Sequence, residues 1–194
     1  EETRRLKFQI PNNYIDRHNI NNQKLHSIVE KFQKLKICVI GDIIIDEYIL
    51  CEPLGMSQED PTIVVTPREN KMFLGGAGIV ASHAVGLGAD VEFISTIGHD
   101  ETGLFTKNTL KDYGVKNKLF LDESRPTTLK QRFRCKEKTM LRVSHLNQAA
   151  ISTKLQGKIF NFLDERMKKY DLLVFSDFNY GCLPQELVDK IVKS

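Results

Sequence analysis

Apolar positions along the chain fall into two rhythms that alternate. Leu25, Ile28, Val29, Phe32 and Leu35 recur at i, i+3, i+4, i+7 and i+10, which predicts an amphipathic helix. Directly after it, Ile37-Cys38-Val39-Ile40 is apolar at every position, the pattern of a strand covered on both faces in a parallel sheet. Residues 91–96 and 172–175 read as two further buried strands. Helical stretches separate the three strands. Gly75-Gly76-Ala77-Gly78 opens a helix of small residues running to about Leu87 and closed by Gly88. Asp100 is placed to cap a helix carrying Leu104, Phe105, Leu110 and Tyr113, with Gly114 as its stop. Leu155, Ile159, Phe162, Leu163 and Met167 mark a long helix, and Pro184 suits the first turn of a last one.

Strands alternating with helices predict an α/β fold with a mostly parallel sheet. Two stretches break the rhythm. Residues 43–50 read as a strand, 53–61 as turn-rich, and 62–66 as a β-branched strand, with no helix between. Residues 129–144 read as a hairpin around Lys136-Glu137-Lys138. Both excursions predict a small accessory sheet standing off the main one. Residues 1–20 are polar and read as an irregular leader, so 1–35 form a leader plus helix and 36–194 one domain. Internal repeats and low-complexity tracts are absent from the sequence.

Composition narrows the function classes. With 41% hydrophobic and 27% charged residues, the chain has the balance of a globular protein rather than a disordered one. A net charge of +3 is too mild for a nucleic-acid binder. The apolar run at residues 37–40 is stopped by Gly41-Asp42, far short of a membrane span. The first residues, Glu-Glu-Thr-Arg-Arg, lack both a Met and the apolar core of a secretory signal. Cys38, Cys51, Cys135 and Cys182 are widely spaced, and the five histidines form no ligand pattern. Isolated thiols in a reducing cytoplasm, with neither zinc nor disulfides, are therefore expected.

Three places can carry chemistry. Asp46 lies just past a buried strand, where ligands bind in open α/β sheets, and a carboxylate there can accept hydrogen bonds from vicinal sugar hydroxyls. A capping role is the plain alternative. Gly75 and Gly76 allow a backbone to approach a polyol closely. Gly76 to Ala81 also matches the dinucleotide pattern G-x-G-x-x-A, but only Met72-Phe73-Leu74 precedes it, and Thr96 stands where an acid is needed. Lys130, Arg132, Arg134, Lys136 and Lys138 recur every second residue, and Arg142 joins from the return strand. On a regular strand they share one face, suited to a phosphate-bearing ligand, although a solvated sheet edge looks the same. Asp177, in Ser176-Asp177-Phe178-Asn179-Tyr180-Gly181 after the third buried strand, either lines the crevice or caps a turn.

Taken in order, these segments resemble the ribokinase-like (PfkB) carbohydrate kinases and, within them, the heptose-7-phosphate kinase domain of ADP-heptose synthases. The resemblance rests on Gly41-Asp42-x-x-x-Asp46, Ser57-Gln58-Glu59-Asp60-Pro61, Gly75-Gly76-Ala77 and Leu87-Gly88-Ala89. It continues with Gly98-x-Asp100-x-x-Gly103, Thr127-x-x-Lys130-x-Arg132 and Ser176-Asp177-Phe178-x-x-Gly181, covering roughly residues 36–192. It implies a three-layer α/β core with a β-sheet lid from about 46–74 and 128–145, and ATP-dependent phosphorylation of a sugar phosphate with Mg2+. Asp46, Gly75 and Gly76 would hold the sugar, Lys130, Arg132 and Arg142 would sit near its phosphate, and Asp177 would line the cleft. A homodimer through the lid is implied, with neither nucleic acid nor membrane as partner.

The chain departs from that pattern in three ways. Ile79 stands where these kinases usually carry Asn, and Tyr180 where they often carry Lys. The Gly-Ala-Gly-Asp motif, which in such kinases supplies the catalytic base and an anion hole, is absent from these residues. The fold is therefore expected to stop before its nucleotide-binding half, leaving no firm hold on ATP and no turnover by these residues alone. A non-catalytic sugar-phosphate-binding relative and a dinucleotide module are the competing readings.

Overall fold

The computed structural model describes residues 11–194. Two four-stranded sheets organise it. The first contains β1 (Lys36–Gly41), β4 (Asp90–Ile97), β5 (Lys116–Leu121) and β8 (Leu172–Ser176) in the order β5-β4-β1-β8. All three of its pairings are parallel. Its helices are α3 (Gly76–Gly86), α4 (Glu101–Asp112), α5 (Thr153–Asp164) and α6 (Gln185–Lys193). One face packs Val39, Val91 and Phe93 against Ala77 and Ala81 of α3. The other packs Cys38, Ile40 and Ile94 against Leu155, Ile159 and Leu163 of α5 and Leu187 of α6. Those two packed faces make the three-layer core, and they explain why β1 is apolar at every position.

The second sheet is the lid. It joins β2 (Ile43–Met56), β3 (Ile63–Gly75), β6 (Leu129–Cys135) and β7 (Lys138–His145) in the order β3-β2-β6-β7. Strand β2 begins in the core, with Ile43, Ile44 and Ile45 buried, and continues outward as the centre of the lid. β2 pairs antiparallel with β3 and parallel with β6, and β6 closes antiparallel on β7.

Several local expectations change. Both early lid strands are longer than the sequence predicts: β2 absorbs part of the turn-rich stretch, and β3 runs on through Pro67-Arg68-Glu69-Asn70-Lys71. Proline is tolerated there because β3 is an edge strand. The segment 116–121 is a strand, unpredicted because Lys116, Asn117 and Lys118 mask its apolar half. Two helices, α1 (Asn12–Arg17) and α2 (Asn22–Phe32), stand in the leader region, and residues 1–10 lie outside the described residues. The amphipathic helix forms, capped by the Asn21 side chain accepting from the Lys24 N–H, but none of its residues is buried. Helix α5 ends at Asp164, so Met167 falls in a 3₁₀ turn instead.

Candidate functional site

The site forms where the lid leaves the core. Asp46 is the first lid residue of β2, opposite Phe73 on β3 and Lys130 on β6. Its Oδ1 accepts a 2.5 Å hydrogen bond from Nη1 of Arg132. That bond, ahead of the cost of burial, pushes the Arg132 guanidinium further up from its ordinary value. The Asp46 side chain is 24% exposed, so the carboxylate is neither sealed in nor free in solvent. Gly75 ends β3 beside it, and a Cβ there would lie 2.5 Å from Asp46 Oδ2. Gly76 opens α3 at φ +53, in the left-handed region, where a Cβ would lie 2.4 Å from the Asp42 carbonyl. The two glycines thus let the start of α3 close against β2 and leave Asp46 at its edge. Ile79, one turn further along α3, is half-buried.

A cavity of about 640 Å³ lies on this face of the lid. Asp46 and Tyr48 of β2, Glu69 and Lys71 of β3, and Arg134 and Lys136 of the hairpin line it. The register explains the set, since Asp46, Tyr48 and Leu50 pair with Lys130, Arg132 and Arg134 and alternate residues share a face. The basic stripe is shorter than the spacing predicts. Lys136 sits in the turn at φ +54, and Lys138 pairs with Cys135, following it onto the other face. Arg142 pairs with Arg132 and is exposed on β7. Lys130 turns toward the core, with its ammonium 4.8 Å from the Tyr180 ring centre. That contact joins the lid to the loop after β8.

The loop 177–182 is organised by Asp42, a role the sequence did not reveal. This carboxylate is 3% exposed and accepts from the N–H groups of Phe178 (2.8 Å), Tyr180 (3.2 Å) and Cys182 (3.0 Å). Burial pushes its pKa up, while the three N–H groups pull it back. Asp177 is exposed and accepts from the Asn179 N–H at 2.7 Å, so it caps its own turn at the mouth of the loop. Arg125 is the second anchor. Its guanidinium bonds Asp122 (2.7 Å), the Tyr180 carbonyl (3.1 Å) and the Ala149 carbonyl (2.9 Å). It thereby ties together the entry to β6, the exit from β7 and the loop 177–182. Asp100 completes the junction, accepting from Gly103 N–H and Thr127 N–H, which explains the Gly98-x-Asp100-x-x-Gly103 motif.

The structure therefore brings together Asp46, Gly75, Gly76, Lys130 and Arg132, leaves Arg142 on an exposed strand, and places Asp177 at the crevice edge. Arg134 and Lys136, which the sequence placed only in the stripe, line the cavity. The strand leading into α3 belongs to the lid, so the β-α-β unit of a dinucleotide fingerprint is not formed at Gly76. Among the described residues, no three His, Cys, Asp or Glu side chains converge to hold a metal. No helix of the described residues is long and apolar enough to cross a membrane.

A parallel α/β core with a four-stranded lid and an acidic residue at their junction is the architecture of a ribokinase-like sugar kinase. The chain belongs to the pfkB family of carbohydrate kinases: the family profile for "pfkB family carbohydrate kinase" matches residues 34–193. It is 34% identical over 160 residues to the bifunctional protein HldE of a Nitratiruptor species, covering 82% of this chain and 34% of that protein. It is 31% identical over 176 residues to HldE of Desulfatibacillum aliphaticivorans, covering 90% of this chain and 36% of that protein. The chain thus spans about a third of the length of these relatives. Among solved structures, the fold is similar to ribokinase from Giardia lamblia, with TM-score 0.57 and 15% identity, covering 82% of this chain and 50% of that one. It is also similar to a carbohydrate kinase from Agrobacterium tumefaciens, with TM-score 0.55 and 18% identity, covering 81% and 48%.

Proposed function

We propose that these residues form the sugar-binding half and lid of an ATP-dependent kinase acting on a heptose phosphate or a related sugar phosphate. The observation that carries the reading is Asp46. It is a partly exposed carboxylate at the lid–core junction, flanked by Gly75 and a cavity of about 640 Å³, a size suited to a small ligand. Asp46 Oδ1 is held by Arg132, and Oδ2 accepts no hydrogen bond from the described residues. An oriented carboxylate with one oxygen available suits the hydroxyls of a sugar. The likeness to HldE proteins, with the resemblance of the motifs to heptose-7-phosphate kinases, supports the choice of a heptose phosphate, and membership of the pfkB family supports ATP and Mg2+ as the co-substrate and ion of the complete enzyme.

The reading extends to a homodimer through the lid, supported by the exposed apolar side chains of Leu54, Met56, Ile63 and Val64 at its outer end. It also extends to the cytoplasm, where the four free thiols stay reduced. The test is calorimetry with heptose 7-phosphate on the chain and its Asp46→Ala variant. Losing hydrogen bonds to a charged group weakens binding by about 1.5–3 kcal/mol, roughly ten- to hundredfold. Equal affinity in the two proteins would remove Asp46 from the site.

A further inference from the structure

We propose that Cys51 and Cys135 form a thiol pair in the lid, which a peroxide closes into a disulfide tying β2 to β6 and which a dithiol reopens.

Register puts the two residues side by side. β2 and β6 run parallel with Leu50 opposite Arg134, so the next residue on each strand brings Cys51 beside Cys135. The irregularities near this point fall in the pairings with β3 and β7, not between these two strands. Alternation places both cysteines on the face that carries Ile49 and Phe133, which also stand opposite each other. Burial along β2 keeps that alternation, with Glu47, Ile49 and Cys51 buried and Tyr48 and Leu50 less so. Neighbouring strands lie about 4.8 Å apart, inside the roughly 4.4–6.8 Å that separates the Cα atoms of a disulfide, so the bond forms without parting the strands. Cys51 also feels its neighbour: burial pushes its thiol up and charge on Cys135 adds to that, while the Arg134 N–H pulls it back.

The two thiols differ in access. Cys51 is 5% exposed, with its Sγ–H donating to the Ile49 carbonyl at 3.5 Å. Cys135 is half-buried at the end of β6, next to the exposed turn of the hairpin. Cys135 is therefore the thiol that meets an oxidant first. Its sulfur attacks hydrogen peroxide, the O–O bond breaks and a sulfenic acid forms. The Cys51 sulfur then attacks the sulfenic sulfur, so the S–S bond forms as the S–O bond breaks. The two thiol protons leave with the two peroxide oxygens as two waters, and the two electrons lost by sulfur reduce the peroxide.

The other two cysteines belong to the core. Cys38 stands between Glu92 and Leu173 in the parallel sheet, and Cys182 is 1% exposed at the end of the loop 177–182. Burial pushes both thiols up to about 12, which keeps them protonated and slow to react. The lid bond would sit one residue past Leu50 and Arg134, at the outer end of the cavity they line. β2 and β6 are the two central strands of the lid, so the link fixes the middle of the sheet. Disulfides in a reducing cytoplasm are transient, which suits a pair that opens again.

The test treats the full chain with hydrogen peroxide, blocks the remaining thiols with N-ethylmaleimide under denaturing conditions and maps the peptides by mass spectrometry. Two of the four thiols should be lost, with Cys51 and Cys135 joined within a single chain, and dithiothreitol should restore all four. Cys51→Ser should leave a sulfenic acid at Cys135 that dimedone traps, and Cys135→Ser should keep its remaining thiols. Amide exchange in β2 and β6 should slow in the oxidised wild type and recover on reduction. Retention of all four thiols at a peroxide excess that oxidises the urea-unfolded chain overturns the pair. A bond between two chains, or oxidation of Cys135 with Cys51 left free, overturns it equally. A bond that forms while lid exchange is unchanged overturns its hold on the lid.

Discussion

Strands β1 and β6 are similar in length and opposite in surroundings. From Ile37 to Gly41 every residue of β1 is buried, whereas all seven residues of β6 are half-buried. The core strand is held by apolar packing on both faces, which is insensitive to charge and salt. The lid strand is held by backbone pairing and by charged and polar side chains that spend their hydrogen bonds on one another: Arg132 on Asp46, and Gln131 on Glu47. Asn70 and His145 extend that second set into one row that crosses all four lid strands. A sheet of this kind gains little from burial and can adjust around a ligand, while the core gives it a fixed base. Strand β2 takes part in both, and Asp46 is where one regime changes to the other.

The sharpest way to break this comparison is to truncate one phenylalanine in each sheet. Phe93 on β4 is fully buried in the core, and Phe73 is 46% exposed on β3 with its ring edge-on to Tyr48. In urea denaturation Phe93→Ala should lose about 3–5 kcal/mol. Phe73→Ala should lose no more than about 1 kcal/mol, the scale of an aromatic pair. Similar losses would mean that the lid is as much a packed core as the sheet beneath it.

A smaller effect sharpens the junction between the two. Burial pushes the Asp122 carboxyl up, but the Ser124 hydroxyl and N–H, and then the Arg125 guanidinium, outweigh it and hold its pKa below the ordinary 3.8. Because the folded value is depressed, the stabilisation is complete above that ordinary value and is lost as pH falls through the lower folded one. Amide protection around Arg125–Thr128 should therefore drop on acidification below 3.8, as the clamp between β6, β7 and the loop 177–182 releases. In Asp122→Asn the step should disappear. A step that persists in the variant would assign the release to another carboxylate.

The core was legible in the sequence because burial on two faces leaves an unbroken apolar run, as in β1; β8 carries such a run too, but at the edge of the sheet its residues are half-buried or exposed rather than buried. The lid was legible as an interruption of that rhythm, but its strand lengths were not, since β3 crosses Pro67 to Lys71 with little apolar content. Strand β5 escaped for the same reason. At the site, Asp46 was readable from its place just past a buried strand and the glycine pair from its composition. Asp42 and Arg125 were not, because Asp42 acts on N–H groups 136 to 140 residues away and Arg125 on carbonyls 24 and 55 residues away. No local pattern carries such contacts.

The proposed function requires the ligand to sit on the lid face at Asp46. Hydrogen exchange of the chain with and without heptose 7-phosphate tests it without any substitution. Exchange should slow in β2 and β6 from Asp46 to Leu50 and from Lys130 to Arg134, and in the loop 177–182 that Lys130 touches through Tyr180. Exchange in α4 and β5, on the far side of the core, should be unchanged. Protection confined to α4 and β5, or no protection at a ligand concentration that calorimetry shows to be saturating, would contradict it.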